Sequence, residues 1–309
     1  MAGETTTYAP AGITTALRED LSDLITNIAP TDTVFMSNIG KEKIKGKYHE
    51  WLQDTLTTAA NCAVTEGNDA VLTEALAQTR VGNYAQISAK WFQVSDSLES
   101  VDKAGRKSEI AYQTGRFLKM LARDMEYGLL NNVTASAGSS TLPRILKGVK
   151  GWITTNATSF TTGTAETTLT ETLFNTQIQD CWEAGGNPGM VLAPANIKRK
   201  ISAFTGNAKI TTNMDAENKK IILSVDYYES DFGVVKVYAS RFMAVDSEGY
   251  ESCFILEKEK WALGTLQGLK TEKLAKTGLA TKIQMSTEYT LISRQELANA
   301  WIKNINTVV

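Results

Sequence analysis

DKAGRKSEIAYQTGRFLKMLARDMEYGLLN, residues 102–131, is the strongest single element in the sequence. Ile110, Phe117, Leu118, Leu121, Met125 and Leu129 fall on one stripe at helical spacing, and Arg106, Lys107, Arg116, Lys119 and Arg123 decorate the rest. At 1.5 Å per residue such a helix spans about 40 Å. The ordinary reading of its charges is a solvated face on a core helix.

Moving toward the N-terminus, YAQISAKWFQV at 84–94 has strand character. Ile87, Ala89 and Trp91 lie on one side and Phe92 and Val94 on the other. Before it, residues 57–83 carry small residues, turn signals at Gly67, Asn68 and Asp69, and few large apolar anchors. So long a stretch without a core of its own predicts a protruding two-stranded arm. Further upstream, ITTALREDLSDLITNI at 13–28 spaces Leu17, Leu21, Leu24, Ile25 and Ile28 as a short amphipathic helix closed by Pro30. It is followed by a segment read as extended, TDTVFMSNIG.

Toward the C-terminus, the Thr-rich stretch 153–172 is a connector, as a hairpin or a surface loop, and marks a change of domain. LTETLFNTQIQDCWEAGG then reads as a helix closed by Gly185 and Gly186, MVLAP as a buried strand, and PANIKRKISAFTG as a helix with Pro194 near its first turn. Strands are expected in KKIILSVDYYES, GVVKVYASRFMAV and ESCFILEKE. TKIQMSTEYTLISR alternates as a half-buried strand, and the tail QELANAWIKNI fits strand or helix.

The chemistry of sites is thin. HEWLQ, 49–53, is one residue from the paired-histidine zinc signature, but Gln53 stands where the second histidine belongs and the 309 residues contain one histidine. Gly40, Gly46 and Lys47 miss the phosphate-loop spacing, and Tyr48 stands where a Ser or Thr must bind Mg²⁺. No nucleophile elbow or dinucleotide fingerprint is present. The turn AGGNPG closes a helix where an anion cradle opens one. No catalytic residue, metal site or cofactor is expected, and the chain reads as no enzyme.

Three scattered cysteines, Cys62, Cys181 and Cys253, form no metal or redox pair. No apolar run approaches the roughly 20 residues of a membrane helix. The expectation is a soluble, unsecreted chain made in a reducing cytoplasm, with no membrane partner. A net charge of −2 argues against a sequence-reading nucleic-acid binder.

The order of these elements, with an arm, a protruding loop, a long basic helix, an α/β lobe and a returning strand, resembles the major capsid proteins of tailed bacteriophages. Their α+β fold is of the Hong Kong 97 type. DTVFMSNIGKEKIKGKYHEW, LAPANIKRKISAF and LAKTGLATKIQMSTEYTLISRQELANAWIKNI further resemble the SU-ten type of phage head protein. The resemblance implies an N-terminal arm at 1–46, an extended loop at 47–97, and a peripheral domain at 98–149 containing the long spine helix. It also implies an axial domain at 150–258 and a peripheral return at 259–309.

By the same resemblance the function is an icosahedral shell enclosing double-stranded DNA in a virion, assembled in the host bacterial cytoplasm. Implied partners are copies of itself in hexamers and pentamers, with portal, scaffolding or decoration proteins. Packaged DNA would be held without being gripped. An encapsulin-like compartment and a tail or tube subunit are the alternatives, and an unrecognised hydrolase is the remote one.

Charge suggests how copies meet. Between residues 50 and 89 the loop carries Glu50, Asp54, Glu66, Asp69 and Glu74 against Arg80 alone, net −4. From 102 to 127 the helix has six basic and four acidic residues, net +2. The loop is expected to lie across a neighbour's spine helix, with Trp51, Trp91 and Phe92 adding apolar contact to the charges of Arg116, Lys119 and Arg123. It has no lysine between Lys47 and Lys90, which speaks against a covalent cross-link from a loop lysine.

Overall fold

The computed structural model describes residues 32–69, 76–102, 107–160, 168–204, 227–246 and 249–306. The sequence-based helix at 13–28, Glu74, residues 103–106 and all of KKIILSVD lie outside them.

The long helix, α3, runs from Glu109 to Asn131. It is shorter than its sequence pattern suggested, 23 residues or about 34 Å. Its start is set by Ser108, whose hydroxyl accepts from Ala111 N at 3.2 Å, and by Glu99, whose carboxylate accepts from Glu109 N at 2.9 Å. Two of the orphan donors of the first turn are satisfied in this way. Glu99 itself sits on a separate one-turn helix, α2, at Asp96–Ser100.

Leu121 of α3 is buried, and Ile110, Phe117, Leu118 and Met125 pack half-buried beside it. They lie against Phe92 and Val94 of β4 (Gln86–Ser95) and Ile283 and Met285 of β11 (Ala280–Ser293). With β1 (Gly40–Lys43) and β10 (Trp261–Lys273) these strands make a four-stranded sheet in the order β1-β10-β11-β4. Only β1 pairs parallel, and β11 pairs with β4 without a register shift over ten residues.

A second, six-stranded sheet has the order β5-β12-β9-β6-β8-β7. It is formed by Ala157–Ser159 (β5), Met190–Ala193 (β6), Tyr227–Ser230 (β7), Gly233–Ala239 (β8), Glu251–Leu256 (β9) and Ala300–Ile305 (β12). The central strands β6 and β9 are buried at every residue. Val191, Ala193, Cys253 and Ile255 face helices α5 (Glu171–Glu183) and α6 (Ala195–Ser202). Met190, Leu192, Phe254 and Leu256 face the end of α3 with Trp152, Trp261, Tyr289 and Leu291. Continuous apolar strands are what a sheet covered on both faces requires.

Helix α4 (Val149–Trp152) closes this second core. Gly148 is needed at its start because a Cβ there would fall 2.6 Å from the Leu129 carbonyl oxygen at the end of α3.

Three expectations change and one open reading, that of the tail, is resolved. TDTVFMSNIG is not extended throughout: Val34–Asn38 form a one-turn helix, α1. The buried Glu126 of α3 accepts from Phe35 N at 2.6 Å and Met36 N at 2.9 Å, and so holds that turn. The Thr-rich connector contributes a strand, β5, parallel to β12. The ambiguous tail is a strand, placing Ile302 and Ile305 in the core under α6. β11 is half-buried only in its first half; from Thr287 to Ser293 every residue is buried.

Candidate functional site

The HEWLQ segment belongs to strand β2, Tyr48–Gln53, which pairs antiparallel with β3, Thr79–Tyr84. On a strand, His49 and Gln53 stand about 13 Å apart, where a helix would bring them together. Among the described residues no group of three or more His, Cys, Asp or Glu is placed to hold a metal ion. No helix among them is long and apolar enough to cross a membrane. The thiols of Cys181 and Cys253 are buried and held well above the usual range by desolvation, Cys181 to about 12.

The β2–β3 pair is instead the root of a loop, and its inward side chains fix it. Trp51 stacks on Trp152 at 5.5 Å between ring centroids, and the Lys147 ammonium lies 4.5 Å from the other ring. Gln53 Nε2 donates to the carbonyls of Ser293 at 3.3 Å and Arg294 at 2.9 Å. Asn83, fully buried, donates to the carbonyls of Lys147 (2.9 Å) and Leu291 (2.8 Å) and accepts from Lys147 N (2.8 Å) and Tyr84 N (3.0 Å). One side chain thus ties β3 to the strand and the turn behind it.

Past Gln53 the picture reverses. Leu56 is 93% exposed and Val64 74%. Residues 54–69 are all exposed and in no strand or helix, with a turn at Gly67, whose φ is +82°. Glu66 and Asp69 flank that turn in solvent. Arg80 is exposed on β3 opposite Leu52.

The other anticipated contact residues divide sharply. Trp51 is turned inward on the subunit's own core. Phe92 is buried against Phe117, centroids 5.0 Å apart, whereas Trp91 on the same strand is 70% exposed. On α3, Arg116 and Lys119 are exposed, Arg116 lying 5.7 Å over the Tyr112 ring, and Arg123 is half-buried. Met120 and the half-exposed Tyr127 share that outer ridge and were missed, because their spacing reads as part of the helix's polar side. Ile87 on β4 and Leu279 in the β10–β11 hairpin are also exposed.

Ionisable groups inside the molecule are structural. Glu126 is raised above the usual carboxylate range by burial, with its bonds to Met36 and Phe35 working the other way. Burial lowers Lys150, whose Nζ donates to the Ala244 carbonyl at 3.1 Å. Arg144 and Glu288 form a largely buried pair at 2.5 Å. What the site offers is surface: an acidic, exposed loop, a basic ridge and an exposed apolar strand face.

Comparison with known proteins gives this surface a context. The family model described as SU10 major capsid protein matches residues 3–306. A major capsid protein of Escherichia phage Phieco32 is 34% identical over 108 residues, covering 35% of this chain; the match spans 31% of that relative's length. A solved chain of Mycobacterium phage Bobi superposes with a TM-score of 0.66 at 11% identity, covering 96% of this chain and 98% of that one. A chain of the holo-SrpI encapsulin complex from Synechococcus elongatus does so with a TM-score of 0.59 at 11% identity, covering 93% and 94%.

Proposed function

The chain belongs to the SU10 major capsid protein family and is a structural capsid protein, and we propose that its copies close into an icosahedral shell around the double-stranded DNA of a tailed phage. The fold is the Hong Kong 97-like capsid fold. In this reading the four-stranded sheet and α3 form the peripheral domain and the six-stranded sheet with α5 and α6 the axial domain, so that β4, at the end of the expected extended loop 47–97, belongs with the peripheral sheet and β12, within the expected peripheral return 259–309, with the axial one. Hexamers and pentamers of the chain would meet through the axial domains, with portal, scaffolding or decoration proteins joining them in the host cytoplasm.

The observation that carries this reading is the loop. Its root is bolted to the subunit by Asn83, Gln53 and Trp51, while residues 54–69 are exposed to solvent throughout, Leu56 and Val64 among them. A segment that cannot bury its apolar groups at home gains order by lying on another copy. Many weak contacts of this kind, repeated around a closed shell, hold each subunit to several neighbours at once. The acidic loop crossing the Arg116 and Lys119 ridge of a neighbour's α3 is the arrangement that charge favours. The role is structural and non-enzymatic, with no cofactor.

Negative-stain microscopy of the purified protein tests the reading. Closed shells are expected; tubes or dispersed monomers would overturn it. Nucleic acid recovered from particles assembled in a phage-infected host separates a virion shell from an encapsulin-like compartment, whose fold this chain shares.

A further inference from the structure

An open sheet edge and an unpaired stretch of backbone on the same chain are complementary. β4 is the outer strand of its sheet, and its inner partner is β11. Asp96 N donates to the Leu279 carbonyl, and the register from Ser95↔Ala280 to Gln86↔Tyr289 is unbroken. In an antiparallel ladder, hydrogen-bonded and non-bonded pairs alternate. The even-numbered residues of β4 therefore bond to β11, and Ile87, Ala89, Trp91 and Gln93 aim their N–H and C=O groups away from it. Among the described residues β11 is the one strand paired with β4, so those outward groups have no ladder partner.

Among the described residues the edge lacks the usual protection. Soluble proteins blunt a long edge strand with proline, a bulge or outward lysines. β4 has ten residues, no proline and no bulge against β11, and its one lysine, Lys90, is engaged by Asp124 of α3 at 2.5 Å. Ile87 and Trp91, 57% and 70% exposed, stand on the face away from α3. Trp91 and Gln93 line a groove with Leu274 and Lys282.

We propose that residues Asp54–Cys62 of a second copy of this chain add to the outer edge of β4 as an extra strand. This rests on the shell reading above and specifies the contact within it. Among the described residues the backbone of 54–62 makes no hydrogen bond. The segment, DTLTTAANC, has no proline and three threonines, suiting an extended conformation. Its nine residues reach about 30 Å, about the length of the ten-residue β4. Extended, it places Leu56, Thr58, Ala60 and Cys62 on one face, where Leu56 meets Ile87 or Trp91. Asp54, at one end, suits the neighbouring Lys282. Backbone pairing supplies the affinity and the alternating side chains fix the register.

Cys62 is exposed while Cys181 and Cys253 are buried, which provides a reporter. Single cysteines are placed at Ile87, Ala89 and Gln93, and at Lys90 as an inward control, and assembled particles are oxidised and run on denaturing gels without reductant. A reducible dimer is expected from at least one outward position, absent from Lys90→Cys and abolished by Cys62→Ser. Particles that form normally but yield no dimer overturn the proposal. So does a dimer that survives Cys62→Ser, which would show β4 meeting β4, and so does an intrachain link without dimer, which would show the loop folding back on its own subunit.

Hydrogen exchange of the unmodified protein gives a measurement independent of any variant. The amides of Ile87, Ala89, Trp91 and Gln93 should exchange at least tenfold more slowly in particles than in free subunits, and equal rates overturn the proposal. If the unmodified chain forms no closed particles at all, the shell reading falls and takes this contact with it; particles lacking the contact remove the contact alone.

Discussion

The two ends of one loop obey different rules. At its root, Asn83 has no exposure and four hydrogen bonds to backbone groups; three residues past the end of β2, Leu56 has 93% exposure and sits in a segment with no secondary structure. The root is part of the subunit's folding free energy, and the span contributes almost nothing to it. A shell subunit needs this division: the direction in which the loop leaves must be fixed before any neighbour arrives, while its surface must remain unspent until one does.

The hardest test of the comparison is at the root. Asn83→Ala strands the Lys147 N–H and the Leu291 carbonyl without partners in a dry site, and should cost about 3 kcal/mol of subunit stability. Urea unfolding of the free subunit measures it, and a loss under about 1 kcal/mol would mean that the root is not held as described.

Glu126 sharpens the same contrast at the point where the N-terminal segment joins α3. Glu126→Ala removes both acceptors from the Phe35 and Met36 amides and should cost about 2 kcal/mol. Its carboxyl is held above its unfolded value by burial, so its titration favours the fold fully at pH below the ordinary carboxylate range. That contribution is lost as pH rises through the folded value. Unfolding midpoints between pH 4 and 7 should therefore flatten in Glu126→Gln relative to the unaltered chain. An unchanged slope would assign the pH dependence elsewhere.

The span should behave in the opposite way. Leu56→Ser is expected to leave subunit stability within about 0.5 kcal/mol and to weaken each intersubunit contact by about 1.5 kcal/mol, read as a higher protein concentration for particle formation. If instead the free subunit melts earlier, the span is a structural part of its own molecule. The smallest effect belongs to charge. Reversing Arg116 and Lys119 together to Glu should slow assembly at low salt and have little effect at high salt, since exposed pairs contribute only about 0 to 1 kcal/mol each. Assembly indifferent to the reversal at low salt would remove the electrostatic part of the loop-to-helix contact.

Legibility followed the period of the hydrophobic pattern. The stripe on α3, the alternation in β4 and the first half of β11, and the wholly apolar β6 were readable because a helix, a one-sided strand and a two-sided strand leave different spacings. The same logic located the coreless loop. It did not find α1, because a five-residue turn held by a carboxylate 91 residues away has no local signature. It did not separate Trp51 from Trp91 either. Both are tryptophans on strands in the loop region, yet one stacks on Trp152 and the other faces solvent.

From the sequence alone come the absence of a paired-histidine zinc motif, the long amphipathic helix, the low apolar content of the loop and its opposite charge to that helix. These are sums or periods along the chain, and need no knowledge of what lies opposite. The tertiary structure alone settled which side of each strand is free, that Asn83 and Gln53 fasten the loop, and that the odd-numbered residues of β4 point their backbone outward. Those depend on pairing between residues up to about two hundred positions apart, where a shift of one residue would exchange every inward group for an outward one.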